Sequence, residues 1–85
     1  MKWKLTKQIQ PLHDQEVIYW SSRVGMWRGF YDRQFHSFYG KGGFLDGEDV
    51  ECWMEDEKQN MPSHETLPEE VSEAKQEWLK RHNKL

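Results

Sequence analysis

The residues most able to do chemistry in this chain of 85 residues are acids. Asp46, Glu48, Asp49, Glu51, Glu55, Asp56 and Glu57 fall in one run that contains no Lys or Arg. Carboxylates gathered this densely attract cations and keep a surface wet, so the run reads either as a solubilising face or as a strip that meets a basic partner. Trp53 lies inside the run and is the aromatic expected to anchor such a contact. A calcium loop is a poor match, because the twelve-residue ligand spacing and its flanking helices are missing.

A second group offers different chemistry. Residues 25–39, "GMWRGFYDRQFHSFY", interleave aromatics with Arg28 and Arg33. With Arg23 and Lys41 they set cations beside Trp27 and Tyr31, the residue types that single-stranded nucleic-acid binders use for phosphate and base. Arg28-Gly29-Phe30 begins like the RNA-binding pattern K/R-G-F/Y-G/A-F-V-x-F/Y. The pattern then fails: Tyr31 stands where a small residue must let a base lie flat, and Asp32 stands where a stacking ring belongs. The competing reading makes these aromatics the sheet core, with the arginines facing water or the protein's own acids.

Other constellations are thinner. His13, His36, His64 and His82 are scattered, with no i,i+4 pair. Cys52 is the single cysteine, which excludes an intrachain disulfide and a cysteine-based zinc site within one chain. Gly40-Lys41-Gly42-Gly43 lacks the spacing of a phosphate loop. No nucleophile–base grouping is visible. The expectation is a protein that is not an enzyme, with no catalytic residues, no cofactor and no metal.

Composition bounds the rest. The net charge of -3 divides unevenly: residues 1–45 hold seven Lys/Arg against three Asp/Glu, and residues 46–85 hold five against twelve. A chain this short buries about 60–65% of its unfolded surface, so its core must be dense. Five Trp, four Phe and three Tyr supply that density. No apolar run suits a signal peptide or a membrane span. Together with the unpaired cysteine, this points to a cytoplasmic protein with no membrane contact.

The elements that must position these groups follow from pattern. "EVIYWSS", residues 16–22, is rich in β-formers with apolar residues on both faces, which predicts a central strand. "SRVG", ending at Gly25, is a hairpin connection. "MWRGFYDR" is a second strand, in which Gly29 marks a bulge or an aromatic lying across it. "FHSFY" is a third strand and "VECWM", residues 50–54, a fourth. Residues 1–15 read as a lead-in, "GKGGF" as a loop and "LDGED" as a turn. Residues 58–65 read as a linker. A helix is predicted over 66–82: Thr66 and Glu69 have capping-box spacing, Pro68 falls in the first turn, and Leu67, Val71, Ala74 and Trp78 form an apolar stripe. The fold class is α+β in a single domain over 1–85. Its β portion spans 1–57, as a twisted antiparallel meander of about four strands or an SH3-like roll, with one C-terminal amphipathic helix. That stripe is expected to pack on its own sheet, which favours a monomer.

With the strands placed, the chain resembles a domain-of-unknown-function family of short phage and prophage proteins. The matching residues are Trp3, Pro11, Glu16-Val17-Ile18-Tyr19, Gly29-Phe30-Tyr31 with Phe35, and Val50, Trp53 and Met54, within residues 3–54. Cys52 stands where the family usually has His, and Glu55 where it has Pro. The resemblance implies a mobile-element origin and carries over no functional residue. The expected function is a binding module acting by contact with a host protein that has a basic surface, including as an acidic mimic of nucleic acid. The alternative is single-stranded nucleic-acid binding through the arginine and aromatic face.

Overall fold

Glu16–Ser21 sits at the middle of the sheet, as its doubly apolar pattern requires. In the computed structural model, which describes residues 2–41 and 43–82, six antiparallel strands form one sheet. They are β1 (Lys4–Leu5), β2 (Glu16–Ser21), β3 (Gly25–Asp32), β4 (Ser37–Gly40), β5 (Gly43–Asp46) and β6 (Cys52–Glu55), ordered β1-β6-β2-β3-β4-β5. One helix, α1 (Ser72–His82), closes the described chain. The architecture is α+β, with six strands rather than about four.

The two extra strands lie where the pattern was weakest. β1 has only two residues, paired Lys4 to Trp53 and Leu5 to Cys52, too few to display alternation. β5 occupies the segment that reads as loop and turn. Its glycine opens it opposite Gly40, and its terminal Asp46 caps the 3₁₀ turn Gly47–Asp49 by accepting from the Glu48 N–H. Turn-forming residues here end a strand rather than replace it. The meander is also interrupted. β2 to β5 are successive neighbours, but β6 returns to the far side of β2, pairing from Val17–Glu55 to Trp20–Cys52.

Alternation along β2 sends Val17 and Tyr19 to one face and Ile18 and Trp20 to the other, and all four are buried. The first face gathers Tyr31, Phe38, Val50 and Trp53 around Val17 and Tyr19, with Leu45 beside them. The second packs Trp20 and Cys52 against Leu67 and Val71, with Met26, Ala74 and Trp78 at the margin. The predicted stripe on the helix therefore does cover its own sheet. Burial pushes the Cys52 thiol above its ordinary range, as suits a small core residue.

Gly29 has a different reason from either one expected. A Cβ there would lie 2.0 Å from the Tyr39 carbonyl oxygen, and one at Gly40 would lie 2.4 Å from that of Arg28. Gly29 and Gly40 pair across β3 and β4, and the close backbone approach needs glycine on both sides. Gly25, at φ 89°, closes the β2–β3 hairpin in the left-handed region, and the Trp78 ring covers it.

The helix begins later than predicted. Leu67, preceding Pro68, is extended (φ -61°, ψ 145°), as proline demands of its neighbour. Thr66 does not cap it, because its hydroxyl accepts from Trp3 Nε1 (3.0 Å) and donates to the Ser63 carbonyl (2.8 Å). A 3₁₀ turn, Glu69–Val71, leads into α1. The linker is structured as well: His64–Thr66 forms a 3₁₀ turn, and His64 Nε2 accepts from Trp20 Nε1 at 3.0 Å.

Candidate functional site

The acidic run does not form one surface. β6 divides it into two groups, roughly 13 Å apart along a four-residue strand. Glu55, Asp56 and Glu57 stand at one end among bases. Lys4 lies 3.9 Å from Glu55, and Lys58 pairs with Glu16 beside them. Lys58 also donates its backbone N–H to Asp56, at 2.9 Å. Trp53 is buried at 2% exposure, not an exposed anchor. Its position in β6 puts the ring on the inner face, where Nε1 donates to the Ile9 carbonyl at 2.8 Å and Lys4 lies over the ring.

At the other end, Asp46, Glu48, Asp49 and Glu51 have distinct tasks. Asp46 caps its turn. Asp49 forms an ion pair with Arg23 at 2.8 Å. Glu51 takes the Ser22 N–H (3.0 Å) and hydroxyl (2.8 Å), tying the β2–β3 hairpin to the approach of β6. Glu48 remains outward, 3.3 Å from His36 Nε2. His36 Nδ1 is 2.6 Å from the Tyr31 hydroxyl. The buried Tyr31 hydroxyl at Nδ1 and the Glu48 carboxylate at Nε2 together fix the orientation of the imidazole.

Glu48 and Glu51 border a cleft of about 800 Å³ between the 3₁₀ turn, the start of α1 and residues 5–10. Glu70 and Glu73 enter it from the helical side. Leu5, Val50, Val71 and Ala74 provide apolar lining, while Lys7 is the one cation among its lining residues. By sequence position Glu70 and Glu73 fall early in the predicted helix, where carboxylates complement the helix dipole. Only the docking of α1 and the 3₁₀ turn before it sets them around the same cleft as Glu48 and Glu51, across some twenty positions of chain. An i,i+3 spacing of two glutamates is a weak signal that could not have placed them.

The nucleic-acid candidates separate too. Tyr31 is buried at 2% exposure in the core and cannot stack on a base. Trp27 is partly exposed, and its indole N–H is taken by the Val24 carbonyl at 2.7 Å. Arg23 is held by Asp49, and the Arg28 guanidinium donates to the Gln59 carbonyl. Arg33 and Lys41 are exposed, and the Arg33 backbone N–H donates to His13 Nδ1. On the opposite face from Trp27 and Tyr31, the exposed rings of Phe30 and Phe44 flank the half-buried Tyr39. Phe30 opposes Tyr39 and Tyr39 opposes Phe44 across the strands, stacked at centroid distances of 5.7 and 5.5 Å.

Among the described residues, no group of three or more His, Cys, Asp or Glu side chains could hold a metal ion. No helix of the described residues is long and apolar enough to cross a membrane. No protein-family model, curated protein or solved structure matches the chain.

Proposed function

We propose that this protein is a non-enzymatic binding module whose acidic cleft receives a lysine- or arginine-bearing segment of a partner protein. The observation that carries the reading is the convergence of Glu48, Glu51, Glu70 and Glu73 on one concave, partly apolar surface. Carboxylates from separate segments give a cation several acceptors at once. The apolar lining takes the methylene stem that a lysine or arginine brings with its charge. The likeness of residues 3–54 to short phage proteins supports a phage or prophage origin and a host protein as partner. The Glu55–Glu57 end is the weaker half of the acidic run for this purpose, since Lys4 and Lys58 already offset it.

An oligo-lysine peptide titrated at low and high salt tests the reading. The expected result is salt-sensitive binding that the combined Glu48→Gln, Glu70→Gln and Glu73→Gln variant reduces, while Glu55→Gln with Glu57→Gln reduces it less. Absence of binding at low salt, or equal loss in both variants, sinks the assignment to the cleft.

A further inference from the structure

The two edges of the sheet are defended differently. β1 is two residues long and contains Lys4, both common protections against strand addition. β5 is four residues long, Gly43–Asp46, with no lysine or proline. Its outer side is unpaired among the described residues, since β5 ends the strand order. The row of rings Phe30, Tyr39 and Phe44 runs to this edge with interplanar angles of 28° and 29°, at spacings close to the ~4.8 Å strand repeat. The row stops at Phe44, which is 78% exposed. A further strand laid on β5 at the same pitch would set its own side chain against the open face of that ring.

We propose that the occupant of this edge is β5 of a second copy, paired antiparallel about a two-fold axis with Phe44 opposite Phe44. Directly opposed residues of antiparallel strands share a face, so this register extends the row from three rings to six without a change of side. The apolar stripe of α1 does not compete for the role, because it is already packed on its own sheet. One short strand and one ring per side fall below the ~800 Å² per partner of a standard interface, so the dimer is weak and forms as concentration rises.

Sedimentation velocity over a concentration series tests this. The mass should move from monomer toward dimer, and Phe44→Asp should shift the midpoint to roughly tenfold higher concentration or beyond. Phe44 is exposed, so circular dichroism should report an unchanged fold. Leu79→Glu, on the exposed side of α1, should leave association intact. A monomer at every concentration overturns the proposal, as does association that Phe44→Asp spares or that Leu79→Glu abolishes. If Phe44→Asp instead removes binding to an oligothymidine strand and leaves mass unchanged, the row is a base-stacking platform and the proposal fails.

Discussion

Trp20 and Phe30 lie on the same face of the sheet and have opposite surroundings. Around Trp20, α1 and the turn before it close the surface: Leu67, Val71 and Trp78 pack there, and His64 takes the indole proton. Around Phe30, the face stays open: Tyr39 stacks between Phe30 and Phe44, and its hydroxyl donates to Asp14 at 3.1 Å. The difference is one of reach. The eleven residues of α1 extend about 16 Å, whereas six strands span about 24 Å. A helix this short cannot reach across the whole of such a sheet. In the closed half the indole N–H groups of two tryptophans are bonded to partners: Trp3 to Thr66 and Trp20 to His64. The open half uses phenylalanine and tyrosine, which need no buried acceptor. The first set fixes the fold, and the second leaves part of the face uncovered.

The contrast can be broken most severely at Trp20. Trp20→Ala should cost about 3–5 kcal/mol, enough to unfold a domain of this size, read as loss of the cooperative urea transition. If the variant keeps near-native stability, the closed half is not what holds the fold.

A smaller effect is expected at the contact that fastens the turn before α1 to the sheet. Burial foremost, and the Lys75 charge next, hold the His64 imidazole below its ordinary 6.5. Only the neutral ring can accept from Trp20. The unfolded chain therefore takes up a proton near pH 6.5 while the folded chain resists. Stability from this contact is complete above that pH and is lost as pH falls through the folded value. Loss of the hydrogen bond costs about 1 kcal/mol. Thermal midpoints measured across this range should decline toward acid, and His64→Gln should flatten the decline. An unchanged slope in the variant would assign the effect to other groups.

The smallest effect belongs to the open half. Phe44→Ala should change stability by no more than about 0.5 kcal/mol, because the ring buries little of itself within the monomer. A large loss in dilute solution would make Phe44 part of the core and erase the distinction between the halves.

Much of the closed half was legible from residue types. Apolar residues on both sides of residues 17–20 required a central strand, and the stripe Leu67, Val71, Ala74 and Trp78 required a surface to cover. The hairpin at Gly25 followed from its turn residues. Less legible were elements too short for periodicity, such as β1, and elements whose glycine and aspartate resemble a loop, such as β5. The candidate site was legible only as a run of acids. Its division by β6, the burial of Trp53 and Tyr31, and the recruitment of Glu70 and Glu73 depend on contacts between distant segments.

The sequence by itself determined which segments become central strand and amphipathic helix, because local periodicity and burial demand are written into adjacent residues. It also determined that aromatic rings would form the core, since a chain so short has little else with which to fill one. The tertiary structure alone decided which rings those are. Tyr31 and Phe30 are neighbours in sequence, yet alternation sends one inside and the other out, and only the placement of α1 determines which half of a face is covered. It decided likewise which carboxylates meet, since charges many residues apart are brought to one cleft by packing and not by spacing.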